Sequence, residues 1–225
     1  AEIADYTGTY LREEIAAEGL TRNIPAFSRF LEVAALCNGQ QINFTKISND
    51  AQVARSTVQE YFEILKDTLL AHELPAWQKT LKRKPVQVHK FYFFDIGVAH
   101  CLEGAGDLKE KSPEFGAAFE SFIFHELKAY VDYKSGMSKN ALCYWRSKSG
   151  FEVDFILNDA VAIEVKAGRN VSLQELKGLR AIAEERKFKH LICVSLEPQK
   201  RMVGAIEILP WRQFLERLWA DDLRV

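Results

Sequence analysis

The sequence predicts two folded parts in one chain: a small α+β module of three helices and a hairpin, then an α/β domain of αβββαβ order with a mixed sheet. Three observations carry this. Stretches with helical apolar spacing run from Pro25 to Lys66, and two β-rich segments follow them. A Gly- and Lys-rich stretch from Gly104 to Pro113, without apolar periodicity, separates the halves. Beyond it, one short apolar strand carries Asp154 and the next carries Glu164 and Lys166.

The elements follow in order. Residues 1–22 read as a polar amphipathic helix with no core of its own, a linker that leans on something outside these residues. The second part, 23–107, opens with a helix from Pro25 through Phe27, Phe30, Leu31, Ala34 and Leu36, stopped by Asn38-Gly39. Phe44–Asp50 makes a short helix and 51–55 a turn. A third helix begins with Ser56 as its cap and carries an apolar stripe at Val58, Tyr61, Phe62 and Leu65. Three helices of this order and spacing look like a helix-turn-helix. Leu74–Trp77 and Val86–Phe94, joined by a basic turn, would add the β-hairpin of a winged helix. Asp95 reads as a helix N-cap.

The third part, 108–225, reads as helix (115–133), strands (141–147, 151–157, 161–166), helix (172–187), strands (190–196, 205–209) and helix (211–221). Ser172 and Glu175 form a capping box, with Leu173, Leu176, Leu179 and Ile182 facing inward.

Composition narrows the function classes. Hydrophobic residues make 48% and charged residues 27%, a globular profile without a membrane-length apolar run, and the expected location is cytoplasmic. Cys37, Cys101, Cys143 and Cys193 lack metal-ligand spacing and sit among apolar neighbours, as reduced core cysteines do. With a net charge of −1, nucleic-acid binding has to come from local patches. No G-x-x-x-x-G-K-[ST] loop is present, so these residues hold no phosphate loop of an ATPase.

The charged trio points to chemistry. Strand alternation puts Glu164 and Lys166 on one face and Ile163 and Val165 on the other; Val153 and Phe155 likewise point away from Asp154. If the strands pair across a turn near Asn158-Asp159, the trio converges at one edge of the sheet. Carboxylates about 5 Å apart repel by roughly 3 kcal/mol at an effective dielectric near 20. A divalent cation would reverse that sign, and hard oxygen ligands suit Mg²⁺ or Mn²⁺. Upstream, Phe119, Ile123, Phe124, Leu127 and Val131 form one apolar helical arc, and Glu120 falls inside it, where a carboxylate needs a partner.

This constellation resembles the PD-(D/E)xK nuclease superfamily, whose restriction-endonuclease-like fold has an αβββαβ core; Val153 replaces the namesake proline. The resemblance spans about residues 113–210 and implies that Asp154 and Glu164 hold the metal, Lys166 activates water and Glu120 completes the site. It equally allows a degenerate member without catalysis. The whole chain also resembles the C-terminal region of a family of uncharacterised bacterial and archaeal AAA-type ATPases, in which a P-loop domain precedes a winged helix and a nuclease-like domain. The residues carrying this are Tyr10-Leu11-Arg12, Ser56-Thr57-Val58, Phe91–Gly97, Phe119-Glu120, Tyr144-Trp145-Arg146, Glu152–Phe155 and Ile163–Lys166. It implies an ATPase domain as the partner that residues 1–22 would tether.

Lys79, Lys82, Arg83 and Lys84 lie in a stretch from Leu74 to Phe94 that contains no carboxylate. They would contact DNA phosphates, or else form a solvated hairpin that blocks edge-to-edge association. Arg146, Lys148 and Arg169 flank the trio and would bind phosphates or solvate strand ends. Glu60 and Glu63 on the third helix face phosphates poorly, which suits partner docking equally well and weakens a reading as a simple transcriptional regulator.

Overall fold

The computed structural model describes residues 21, 23–104, 106–134, 136–138 and 140–223. The linker helix expected over 1–22 therefore lies outside the described residues, Thr21 apart. The described chain is mixed α/β, with seven helices, a three-stranded sheet and a six-stranded mixed sheet. Its described residues divide into two compact units: those up to 73 with those from 90 to 107, and 74–89 with those from 108 onward.

In the first unit, α1 (Ile24–Ala35) starts where Asn23 Oδ1 accepts the Ala26 N–H at 3.1 Å, with Pro25 in the first turn. A short strand β1 (Gln40–Gln41) precedes α2 (Phe44–Ala51), capped by Asn43 and ended by Gln52 in the left-handed region. Helix α3 (Arg55–Asp67) differs from expectation at its start. Ser56 lies within its first turn, and the N-cap is Ala54, which offers no side-chain acceptor. Strands β2 (Ala71–Leu74) and β3 (Lys90–Phe93) complete a sheet of order β1-β3-β2. Asp95 caps α4 (Ile96–Leu102), accepting the Val98 N–H at 2.8 Å. Edge-to-face rings hold the core together: Phe27 on Tyr61, and Phe62 on Phe30, Phe44 and Phe91.

The second unit runs α5 (Pro113–Tyr133), β4 (Leu142–Arg146), β5 (Glu152–Leu157), β6 (Val161–Lys166), α6 (Lys177–Ala183), β7 (His190–Ser195), β8 (Arg201–Val203), β9 (Ile206–Pro210) and α7 (Trp211–Trp219). Strand order is β4-β5-β6-β7-β9-β8, antiparallel across β4-β5-β6, parallel across β6-β7-β9 and antiparallel again at β8. The helix expected over 172–187 is shorter. Residues 172–176 form a turn in which Glu175 accepts the Ser172 N–H and hydroxyl at 2.8 and 2.7 Å. One face of the sheet packs Trp145, Val153, Ile156 and Ala162 against Leu179 and Ile182 of α6. On the other face Phe155 meets Phe124 of α5, ring centroids 6.2 Å apart.

Residues 74–89, expected as the arms and tip of a hairpin in the first part, pack instead with the second unit. The reason is backbone pairing. Trp77 N donates to Tyr144 O at 2.7 Å, Tyr144 N to Pro75 O at 3.0 Å, Val86 N to Arg146 O at 2.8 Å and Lys148 N to Lys84 O at 2.9 Å. The segment thus satisfies the free edge of β4, which would otherwise invite another strand. Its tip is held by Glu185, which is fully buried. One oxygen of Glu185 accepts the N–H groups of Leu81, Lys82 and Arg83 at 2.9, 2.6 and 3.3 Å, and the other takes the Arg83 guanidinium at 2.8 Å. Burial pushes this carboxyl up, but these donors, led by the Lys82 N–H, outweigh it and hold the group below the usual range.

Removing one partner of a buried ion pair leaves the other uncompensated. Glu185→Ala is therefore expected to cost about 3 kcal/mol in urea unfolding and to open the 79–84 loop to protease nicking. A loss below about 0.5 kcal/mol, the range of ordinary surface changes, would show that the staple is dispensable.

Candidate functional site

The site forms where β5 and β6 part. Their ladder runs from Leu157 paired with Val161 to Phe155 paired with Ile163, closed by Asn158 and Asp159 at φ 47° and 57°. Two consecutive left-handed residues suit the tight turn of a hairpin. On the β4 side the register changes between Cys143–Ile156 and Trp145–Val153, so β5 carries one residue more than β4 there. This bulge corrects the expected alternation. Val153 joins the core under α6 while Phe155 packs toward α5, and Asp154 lies between them at the irregularity. Released from a regular register, the Asp154 carboxylate takes the role of a ladder carbonyl: Oδ2 accepts the Val165 N–H at 2.8 Å.

The structure brings Asp154, Glu164 and Lys166 together. Both carboxylates are 7% exposed. Lys166 Nζ donates to Glu164 Oε1 at 2.5 Å and to Val165 O at 3.2 Å. The second oxygen, Glu164 Oε2, is buried without a hydrogen-bond partner. Burial first, and the neighbouring Asp154 charge next, push the Glu164 carboxyl well above the usual carboxylate range; Lys166 pulls the other way. Burial draws the Lys166 ammonium down, but Asp154 and then Glu164 outweigh it and leave it above the ordinary lysine range. Glu164 and Cys193 are register partners, as are Lys166 and Ser195, so the site spans the line where the sheet changes from antiparallel to parallel pairing.

Glu120 stands on α5, over the opposite face, and its charge adds a smaller upward push on Glu164. Among the described residues no three His, Cys, Asp or Glu side chains gather closely enough to hold a cation by themselves.

The remaining candidates are mostly tied to carboxylates. Lys79 pairs with Asp159, Lys82 with Glu184 at 3.8 Å, and Arg83 with Glu184 and Glu185 at 2.9 and 2.8 Å. Arg146 pairs with Glu152 at 3.3 Å and Arg169 with Glu110 at 3.1 Å. Lys84 and Lys148 are exposed. Trp145 is fully buried and packs in the core.

Sequence reasoning missed Gly178. A Cβ there would stand 1.9 Å from the Glu152 carbonyl oxygen and 3.4 Å from Glu164 Oε2, so α6 approaches the site only because this residue has no side chain. A glycine inside a helical apolar pattern was the available signal. It also missed Glu185, whose role depends on a loop distant in sequence.

The comparisons with known proteins agree in extent with the two halves. Residues 1–109 match the family described as Domain of unknown function (DUF8612), and residues 115–214 match Domain of unknown function (DUF4143). Two curated relatives, "Uncharacterized protein Mb2031c" of Mycobacterium bovis and "Uncharacterized protein Rv2008c" of Mycobacterium tuberculosis, are each 27% identical over 151 residues. That alignment covers 66% of this chain and 33% of either relative, so the chain corresponds to about a third of their length. No solved structure matches. No helix among the described residues is long and apolar enough to cross a membrane.

Two outcomes follow from this geometry. Glu164 has a raised proton affinity in the folded state, so the folded chain holds more protons than the unfolded one once pH exceeds about 4.3, and stability falls as pH rises toward the folded value. Glu164→Gln removes that loss. Its melting temperature relative to wild type is expected to rise with pH above about 4.3 until the folded carboxyl has titrated; a gap that narrows would reverse the sign. Gly178→Ala must displace α6 from β5 and is expected to cost about 3 kcal/mol by chemical denaturation, the upper end for overpacking. An unchanged midpoint would show that α6 shifts freely.

Proposed function

We propose that the chain is a metal-dependent phosphodiester hydrolase acting on DNA, with Asp154, Glu164 and Lys166 as its centre. The observation that carries this reading is the unpartnered, buried Glu164 Oε2 beside a second buried carboxylate. A structural ion pair would not leave a buried carboxylate oxygen orphaned. The donor set fits a single hard cation, Mg²⁺ or Mn²⁺, held by Asp154 and Glu164 with the Val165 carbonyl close by. When bound, such an ion neutralises the carboxylates and lowers the pKa of a coordinated water. Glu120 is read as holding an outlying water and not as a third direct ligand.

Lys166 contributes the chain's own chemistry. Its ammonium is anchored to Glu164 and Val165 O while its side chain stays 26% exposed. From there it donates a hydrogen bond to the attacking water and offsets charge growing on the phosphoryl oxygens. Asp154 holds the Val165 N–H, which sets the β6 backbone between the two site residues.

On this reading the second unit is restriction-endonuclease-like, and the first unit, in the order α1-β1-α2-α3-β2-β3 with sheet order β1-β3-β2, is a winged helix for DNA or partner docking. Its partner is an AAA-type ATPase domain of a longer protein, and the greater length of the relatives leaves room for one. A second reading also has an observation behind it. Lys166 already occupies Glu164 Oε1, and among the described residues no third His, Cys, Asp or Glu side chain joins the two acids, which suits a nuclease-like module that binds and regulates without catalysis.

Incubation with supercoiled, linear and branched DNA plus Mg²⁺ or Mn²⁺ distinguishes them. Hydrolysis is expected, reduced at least about 100-fold by Asp154→Ala or Lys166→Ala, with Mn²⁺ raising the melting temperature of wild type and releasing protons. Cleavage that both variants retain would remove the trio from the chemistry. Absence of cleavage together with no Mn²⁺-dependent stabilisation would select the regulatory module.

A further inference from the structure

The basic tip of the 74–89 segment does not stand alone. The turn after α6 carries Arg186, Lys187 and Lys189, all exposed, and folds against it. Asp159 receives both Lys79 and Arg186, the latter at 3.8 Å. The Trp77 and Phe188 rings lie 5.7 Å apart. Glu184 receives Lys82 from the other side. Two segments about a hundred residues apart in sequence thus build one cationic surface on the second unit, from Lys79, Lys82, Lys84, Arg186, Lys187 and Lys189. Asp159 and Glu184 tie Lys79, Arg186 and Lys82 into it.

At its tip stands Leu81, 82% exposed. An apolar side chain in that position would ordinarily fold back, but its backbone is pinned. Its own N–H and those of Lys82 and Arg83 are held by Glu185. Arg83 is pinned with them, on Glu185, Glu184 and the Ala181 carbonyl and over the Phe151 ring at 5.1 Å, so it is a structural clasp and leaves the outward charge to its neighbours.

We infer that this surface binds the backbone of duplex DNA, with the exposed lysines and Arg186 on phosphates and Leu81 pressed against the groove. A rigid turn orders no chain on binding, and spaced cations around one apolar residue suit a grooved polyanion. An anionic membrane would ask for a broad apolar face to bury, and the tip offers a single leucine. The inference rests on the hydrolase reading only for the choice of polyanion, and it extends that reading by assigning contacts to Leu81, Arg186, Lys187 and Lys189.

The test is fluorescence anisotropy of a labelled DNA duplex with the full chain, titrated with salt in the absence of divalent ions. K82Q/K84Q and R186Q/K187Q/K189Q are each expected to flatten the slope of log K against log salt by about 0.9 for every phosphate contact removed, while K82R/K84R preserves it. Leu81→Ser is expected to weaken binding several-fold at an unchanged slope. Lys128→Gln, on α5 and paired there with Asp132, serves as the control with unaltered slope. A wild-type chain that binds duplex with this salt slope but does not cleave it when Mg²⁺ or Mn²⁺ is added would strike the hydrolase reading and leave this one standing. Slopes untouched by both multiple variants would overturn the inference, as would absence of duplex binding. Sedimentation with phosphatidylserine vesicles that depends on the same residues, without duplex binding, would assign the surface to a membrane and overturn it equally.

Discussion

Two buried acids held against one amine are the constraint on which the second unit turns. The Asp154 charge pushes against Glu164, and the one ammonium bonded to Glu164 leaves its second oxygen without a partner. The fold supplies what it can. The Val165 N–H bonds Asp154, and α6 closes over Glu164 through the bare backbone of Gly178. The residual cost remains on Glu164, seen in its raised proton affinity. Sites that retain such a cost are commonly functional ones, because the same groups packed for stability alone would have been paired or neutral.

Around this centre the second unit solves an ordinary problem of sheets. A strand such as β4 exposes a row of backbone donors and acceptors, and this chain covers them with residues 74–89, borrowed from between two strands of the first unit's sheet. The chain therefore passes between the units more than once. The arm is fastened by a buried carboxylate that accepts three successive N–H groups. Cations are then displayed on a surface fixed to the unit that carries the acid pair.

Much of this was legible in the sequence. Apolar spacing located α1, α2 and α3, and the αβββαβ order emerged from strand-length apolar runs around Asp154 and Glu164. The approach of Asp154, Glu164 and Lys166 also followed from a short turn at Asn158-Asp159, since alternation and hairpin register are local properties. Where the reading departed from the structure, the cause lay between distant segments. Ser56 looked like a cap, yet Ala54 holds that position, because the end of a helix depends on how the preceding turn enters it. Lys79 to Lys84 looked like a hairpin tip in the first module, yet Asp159, Glu184 and Glu185 draw that segment into the second.

What the sequence by itself determined, then, is the kind and order of elements and the pairing of acids with an amine across one hairpin, because periodicity and turn chemistry act over a few residues. Only the tertiary structure decided the bulge that turns Asp154 onto the Val165 N–H, the closeness of α6 at Gly178, and the unit to which the basic arm belongs. Each of these depends on which backbone groups and buried charges meet once the sheet has formed, and segments such as 81–83 and Glu185, about a hundred residues apart, acquire their relation only through that packing.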